Sequence, residues 1–201
     1  NLTNFGNRYE ISSLTNDKVK LINSLHHRKY RREHNLFVAE GIRICREAVE
    51  NGWEIRYLLY DNLKADVQKI ENLISDVLCL GADVIGVTSE ILSKISHKEN
   101  SQNVLCVICQ KWNDLPSIIK DKTFVALETV RDPGNLGTIL RTMDGVGATD
   151  CILLDDCTDP FSYESVRASM GAIFNVNIIA SSSKNFLKWK SKHKISLIGT
   201  S

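Results

Sequence analysis

The chain has 201 residues, a net charge of +1, 43% hydrophobic residues and 24% charged residues. These values are ordinary for a globular protein and exclude a wholly disordered, collagen-like or coiled-coil chain. No run of about 18 apolar residues occurs, and the N-terminus lacks the apolar core of a signal peptide, so we expect a cytoplasmic protein without a membrane span. Because the net charge is near zero, any nucleic-acid binding must depend on local basic surfaces.

The six cysteines are too sparse for a disulfide scaffold, and most of them lie in apolar runs. Cys106 and Cys109 form a CxxC pair within a β-branched run that reads as a strand, where positions three apart face opposite sides. No second CxxC or histidine pair follows at a matching spacing. We therefore expect free thiols in a reducing compartment and no metal site.

Residues 1–110 alternate helical and strand patterns. Residues 17–32 read as one helix with Asp17 as its N-cap, and GIRICREAVENG reads as a helix that stops at Gly52. The other predicted segments are strands in LFVAEG, IRYLLY, DVIGVT and NVLCVICQ, and helices in DNLKADVQKIENLI and SEILSKIS. This half is expected to form a small α/β domain.

All three prolines lie after residue 110, which indicates a linker over residues 111–122 and a second domain over residues 123–201. The predicted strands there are FVALE, CILLDD, AIFNVNIIA and ISLIG, and the predicted helices are NLGTILRTMDGVG, YESVRASMG and SKNFLKWKSK. Strands that alternate with helices of this length predict a parallel sheet. Ligands of such sheets bind at the carboxyl ends of the strands.

The most distinctive motif is ETVRDPGNLGTILRT, residues 128–142, which leaves a strand and enters a helix. Pro133 is expected to fix the turn, Gly134 to adopt a positive φ, and Asn135 to cap the helix. Arg141 falls on a non-apolar side of that helix. A well-capped crossover helix with a solvated arginine remains an alternative, as does a phosphate loop, although neither GxGxxG nor a Walker lysine is present.

A second motif, SVRASMGAIFNVNI, places Arg167, Ser169 and Gly171 where a helix meets a strand. The absence of GxSxG argues against a hydrolase nucleophile at Ser169. Close packing of small residues between helix and strand is the structural alternative.

The pairing of DPGNLGTILRT with RASMGAIFNV resembles the SpoU-type RNA 2′-O-ribose methyltransferases of the SPOUT class. Asn135, Gly137 and Arg141 match the Asn-x-Gly-x-x-x-Arg spacing of the first motif, and the second motif matches less completely. YRREHNLFVAEGIRICREAV is similar to the substrate-binding domain found at the N-terminus of many of these enzymes. The resemblance implies an α/β RNA-binding domain followed by a parallel-sheet SPOUT domain with an α/β knot, a homodimer, and S-adenosylmethionine as cofactor.

The resemblance also predicts what the end of the sequence lacks. The family continues with a Gly-rich loop and a Ser-Leu-Asn segment that complete the knot, whereas this sequence ends at ISLIGTS. We therefore expect the C-terminal knot segment to be missing, with Gly199 and Thr200 as the edge of the cofactor site.

The resemblance makes Arg141 the central catalytic residue. Because a guanidinium is a poor base at neutral pH, its expected role is to hold the target phosphate and stabilise the developing alkoxide. Asn135 is expected to orient the ribose or hold the loop. Glu128 is expected either to orient Arg141 or to be a plain strand-end carboxylate.

Six basic residues and no acidic residue lie between Lys18 and Arg32. Cationic groups beside stackable rings suit RNA, although a charge run can also be a solvated helix face. The expected RNA-binding residues are Arg28, Lys29, Arg31, Arg32 and Arg167. The ten acids within residues 114–164 are expected to keep RNA off their face.

The leading hypothesis is an S-adenosylmethionine-dependent enzyme that methylates a ribose 2′-hydroxyl in ribosomal RNA. Transfer RNA as the substrate, and a non-catalytic RNA-binding protein of the same fold, are the alternatives. A dinucleotide-binding enzyme is disfavoured because the glycine fingerprint is absent.

Overall fold

The computed structural model describes residues 5–97, 102–120 and 122–199, which form two sheets with helices around them. The first sheet has the strand order β1-β4-β3-β5-β2. Its elements are β1 (Arg8–Ile11), α1 (Asp17–Ser24), α2 (Arg28–His34), β2 (Leu36–Glu40), α3 (Ile42–Glu50), β3 (Ile55–Asp61), α4 (Val67–Cys79), β4 (Asp83–Val87), α5 (Ser89–Ser96) and β5 (Val104–Cys109).

The first sheet is mixed, because β1, β4 and β3 run parallel whereas β5 is antiparallel to both β3 and β2. Alternate residues of β5 enter apolar clusters on opposite faces of the sheet. The two cysteines of the CxxC pair follow the same rule, since Cys106 is buried in one cluster and Cys109 packs against the other. The six cysteines are free thiols.

The second sheet has the order β6-β7-β8, and its strands are parallel, which confirms the prediction for this half. A helix follows each strand, and a 3₁₀ turn precedes the last strand. The elements are β6 (Phe124–Glu128), α6 (Pro133–Gly145), β7 (Asp150–Leu154), α7 (Tyr163–Ser169), the 3₁₀ turn (Ala172–Phe174), β8 (Asn177–Ser181) and α8 (Ser183–Lys192).

The helix predicted over residues 17–32 is wrong as one element, because the chain leaves the helical path between α1 and α2. Asn16, not Asp17, is the N-cap of α1, and its side chain accepts a hydrogen bond from Lys18 N. The Arg31 guanidinium donates at 2.8 Å to both Leu25 O and His26 O, the carbonyls exposed by the break. A helix end needs such partners for its last carbonyls, and here a side chain supplies them.

Two strand predictions also need correction, and one strand was missed. The AIFNVNIIA segment begins as the 3₁₀ turn and becomes β8 only at Asn177. ISLIG does not form a strand, and Leu197 and Ile198 are exposed. An apolar run becomes a strand only where a neighbour pairs with its backbone, a condition that composition does not report. Conversely, β1 was not predicted, because the short polar RYEI segment depends on its pairing with β4.

The two sheets share an aromatic cluster. Phe37 and Trp53 of the first half pack against Phe161 and Phe174 of the second, with ring centroids 4.8 Å apart for Phe37–Phe161 and 5.3 Å for Trp53–Phe174. Trp53 Nε1 also donates to Phe174 O at 3.1 Å. The intervening segment packs on the second sheet, where Asn113 N donates to Ile178 O. Within the described ranges, no helix has the length and apolarity that crossing a membrane requires.

Candidate active site

The carboxyl ends of the three parallel strands form one edge, which we call the strand-end edge. Glu128, Leu154 and Ser181 lie in register across it. The loops that leave β6 and β7 are held together there, because Thr158 N donates to Val130 O at 2.7 Å and the Cys157 thiol lies 3.2 Å from Leu127 O. This is the edge at which open parallel sheets bind ligands.

The turn into α6 differs in detail from the predicted one. Asp132, not Asn135, is the N-cap, and its Oδ1 accepts a hydrogen bond from Asn135 N at 2.7 Å. Gly134 is not among the residues with positive φ, whereas Thr129 has a φ of 60°. A β-carbon on Gly134 would lie 3.1 Å from Asp132 Oδ1, so the glycine instead leaves space for the capping carboxylate. The positive φ is therefore found at Thr129, earlier in the loop than the predicted Gly134.

Gly137 has a structural role that the sequence did not reveal. A β-carbon there would lie 2.5 Å from Ser165 O and 2.6 Å from the Ala168 Cβ, so α6 and α7 pack closely only because this side chain is absent. The Ser165 hydroxyl also donates to Pro133 O at 2.9 Å. The first motif therefore fixes the position of α7 as well as that of α6.

Arg141 lies one helical turn after Gly137, and its side chain is exposed. Asn135 and Glu128 are exposed as well, at the start of α6 and the end of β6. Among the described residues, no hydrogen bond or ion pair joins Glu128 to Arg141. The fold thus places the three predicted catalytic residues on α6 and on the strand that leads into it, without direct contact between the two charged groups.

Several carboxylates lie at the same edge. Glu128, Asp132, Asp155 and Asp156 are all exposed there. The Ser183 hydroxyl and amide hydrogen bonds lower the pKa of the Asp155 carboxyl, so this group stays ionised at neutral pH. Four of the ten acids expected to keep RNA off their face therefore lie at the strand ends, where they make the local charge negative.

The buried Cys151 thiol is a poor nucleophile. Burial raises the pKa of Cys151 to about 12, and the neighbouring Cys157 contributes in the same direction. A thiol in this state stays protonated at neutral pH. Ser169 is also buried, and its hydroxyl donates to Val166 O at 2.8 Å and accepts from Ile173 N. The structural alternative for the second motif is therefore the correct one at this serine.

Gly171 lies near Glu47 of the first half and has a positive φ, a backbone conformation that favours glycine. Its φ is 95°, and a β-carbon would overlap the Glu47 carboxylate of α3 at 1.8 Å. Arg167, in contrast, is exposed on α7. Of the two charged or polar candidates in the second motif, only Arg167 is available to a ligand.

The predicted RNA-binding residues of α2 fall into two groups. Arg28, Lys29 and Arg32 are exposed, whereas Arg31 is 4% exposed. Its Nε and Nη2 each lie 2.9 Å from Asp159 Oδ2, a partner 128 residues away in the loop between β7 and α7. Because its remaining donor group serves Leu25 O and His26 O, Arg31 has no free donor face for a phosphate. The RNA-binding assignment of Arg31 is therefore corrected to a structural one.

Sequence reasoning missed Asp159. Its Oδ1 accepts from Phe161 N at 2.9 Å, so both oxygens of this buried carboxylate are engaged. The only local signal is the Asp-Pro dipeptide, which marks a turn but not a buried acid. Its pairing with Arg31 links the first half to the loop beside the strand-end edge.

The comparisons with known proteins agree with this architecture. The family model of MRM3-like substrate binding domains matches residues 16–106, and that of the SpoU rRNA Methylase family matches residues 122–201. A crystal structure of an AdoMet-bound rRNA methyltransferase from Sinorhizobium meliloti is 38% identical, covers 92% of this chain and 69% of its own, and has a TM-score of 0.84. The chain belongs to the SpoU family of rRNA methylases.

Two relatives of this chain are named as rRNA methyltransferases. The Bacillus subtilis "23S rRNA (guanosine(2553)-2′-O)-methyltransferase RlmP" is 26% identical over 95% of this chain and 73% of its own length. The Xenopus tropicalis "rRNA methyltransferase 3, mitochondrial" is 33% identical over 87% of this chain and 42% of its own length. The chain thus spans less than half of the mitochondrial relative.

The strand-end edge fits S-adenosylmethionine in its charge. This cofactor carries a positively charged sulfonium and an ammonium group, and the exposed carboxylates Glu128, Asp155 and Asp156 supply the opposite charge. Gly199 is exposed, and a β-carbon there would meet nothing within 4 Å. Thr200 lies outside the described residues.

Proposed function

We propose that this chain carries the RNA-binding and catalytic residues of an S-adenosylmethionine-dependent enzyme that methylates a ribose 2′-hydroxyl in ribosomal RNA. The observation that carries the proposal is the exposed Arg141, with Asn135, on the helix that starts at the strand-end edge. Membership of the SpoU rRNA methylase family supports the reaction class. The names of the relatives, which specify 23S rRNA in one case and rRNA in the other, favour ribosomal over transfer RNA.

When bound, S-adenosylmethionine would supply the methyl group: its S–CH₃ bond would break to leave a neutral thioether as the 2′-oxygen forms an O–CH₃ bond, and the hydroxyl proton would pass to solvent. The 2′-oxygen must lie in line with that methyl group, and holding it there provides much of the acceleration. Arg141 is suited to hold the adjacent phosphate and to stabilise the negative charge that develops on the oxygen, because a guanidinium donates a rigid fork of hydrogen bonds. Asn135 is suited to orient the ribose through its amide.

We assign RNA binding to residues 1–110, the connection to residues 111–122 and methyl transfer to residues 123–201. Arg28, Lys29 and Arg32 support the first assignment, since they project from one short helix and are exposed. Arg167 is the proposed phosphate contact of the second domain. Gly199 and Thr200 are the proposed edge of the cofactor site, and Glu128 remains a proposed catalytic residue.

We further propose a cytoplasmic homodimer. The dimer is implied by the SPOUT resemblance and is supported by exposed apolar side chains, with Val146 75% exposed and Leu187 53% exposed. Burial of such surface is worth roughly 25 cal/mol per Å². Light scattering on the full-length protein tests it, and a monomer at micromolar concentration would contradict it. The free cysteines support a reducing compartment.

Methyl transfer by the full-length protein to rRNA fragments tests the enzymatic proposal. Arg141→Ala should lower the rate by about 10²- to 10³-fold, the usual loss when a group that stabilises developing charge is removed. Arg56→Ala, which removes an arginine from the partly exposed start of β3, is the control and should behave as wild type. An Arg141→Ala variant that keeps its circular dichroism spectrum and stays within about threefold of wild-type activity would reject the catalytic assignment.

A further inference from the structure

A groove of about 380 Å³ lies between the two halves of the molecule, away from the strand-end edge. One wall is the turn from β2 into α3, with Gly41, Ile42 and Arg43, and the other is α7, with Arg167 and Met170. The volume is within the range of pockets that hold small organic groups.

The groove combines apolar surface with two guanidinium groups. Ile42 is 38% exposed and Met170 51% exposed, although both are large apolar side chains. Arg43 and Arg167 are exposed on opposite walls, one from each half of the chain. Arg43 also forms an ion pair with Glu47 at 3.6 Å, and Glu40 lines the groove with its carboxylate accepting a hydrogen bond from Gln102 N.

The walls are held in place by contacts that precede any ligand. Gly137 and the Ser165 hydroxyl fix α7 against α6, and Gly171 fits against Glu47 of α3. α7 therefore lines the groove and also packs against α6, the helix that carries Arg141. A group bound in the groove would be a neighbour of whatever reacts beside Arg141, and not the reacting group itself.

We propose that this groove holds an unstacked base of a single-stranded rRNA segment, from a nucleotide that flanks the target ribose. The inference rests on the proposed function, which supplies the RNA. Unpaired bases bind proteins by stacking on apolar, aromatic or guanidinium surfaces, while cationic groups contact the adjoining phosphates. Apolar surface between two arginines matches both requirements, whereas an apolar peptide would bring no anionic group to the exposed Arg167.

The test measures binding of a short fluorescein-labelled single-stranded RNA of mixed sequence, and of the same sugar-phosphate chain without bases, to the full-length protein. Ile42→Ala with Met170→Ala should weaken binding of the base-containing RNA by about 10-fold, in line with the loss of one stacked base, and should leave the abasic chain unchanged. Arg167→Ala should weaken both, and Arg167→Lys should restore the abasic chain only. Arg56→Ala is the matched control.

Equal losses for both RNAs in the apolar double variant would overturn the proposal, as would wild-type binding in that variant. A change in oligomeric state on substitution, measured by light scattering, would show that a second copy of the chain occupies the groove and would also overturn it. Because binding is measured without methyl transfer, failure of the wild-type protein to methylate rRNA would count against the proposed function alone.

Discussion

The two sheets differ in how completely they bury their strands. The central strands of the first sheet are almost entirely inaccessible, and apolar clusters cover both of its faces. In the second sheet β7 is equally buried, but residues 124–127 of β6 are only half-buried, and Glu128 at its end is exposed. The difference therefore lies in β6, whose half-buried residues and exposed Glu128 leave this side of the second sheet open to solvent. The proposed chemistry lies in the more open half.

The largest expected effect comes from breaking the Arg31–Asp159 ion pair, which joins the two halves. Arg31→Ala would leave the buried Asp159 carboxylate without its cation and the Leu25 and His26 carbonyls without a donor. Breaking a buried ion pair in this way typically costs about 3–5 kcal/mol of unfolding free energy. Urea denaturation measures the loss. The neighbouring exposed Arg32→Ala should change stability by no more than about 0.5 kcal/mol.

The double variant Arg31→Met with Asp159→Leu sharpens the same comparison. It removes both charges but leaves the two carbonyls without a donor and Phe161 N without its acceptor, so it should be less costly than Arg31→Ala and still less stable than wild type. If Arg31→Ala were as stable as Arg32→Ala, the Arg31–Asp159 ion pair would not hold the halves together. The structural role assigned to Arg31 would then be wrong, and RNA binding would again be the better explanation of this residue.

The second test is within the open half. Gly137→Ala places a methyl group against the Ser165 carbonyl and the Ala168 Cβ, which are not flexible side-chain ends. Overpacking of this kind costs about 1–3 kcal/mol, and it should lower methyl transfer as well because α6 carries Arg141. Gly145→Ala, at the end of the same helix with nothing within 4 Å of its new β-carbon, is the control and should be neutral or slightly stabilising. Thermal unfolding and a methyl-transfer assay would reveal whether the two glycines differ.

The third test concerns the surface of the first half and should leave stability nearly unchanged. Charge reversal at Arg28, Lys29 and Arg32 should weaken RNA binding and reduce the slope of log K against log salt by about 0.7–0.9 for each RNA phosphate that these side chains no longer neutralise. The matched control reverses three exposed lysines elsewhere, Lys64, Lys94 and Lys120. A slope that changes equally in both variants would mean that α2 contributes only net charge.

The sequence predicted most of the helices and strands, because the spacing of apolar residues that indicates each element lies within that element. The parallel β6-β7-β8 sheet follows from apolar strands alternating with helices, and the exposed position of Arg141 follows from the spacing of apolar residues along α6. The opposite orientations of Cys106 and Cys109 follow from the period of a strand. The family motif, Asn135-x-Gly137-x-x-x-Arg141, was likewise readable without a structure.

Only the tertiary structure decided which charged residues are available to a ligand. Arg31 and Arg32 are adjacent in a basic run, yet the first is buried against Asp159 and the second is exposed, because the partner lies 128 residues away. The reason for glycine at position 137 is likewise visible only in the tertiary structure, where α7 packs against it, and Gly171 is seen to lie beside Glu47 only there. The spacing of apolar residues determines the face of the helix or strand on which a residue lies. The partner of that residue depends on the packing of segments that are far apart in the sequence, and a short stretch of sequence does not contain that information.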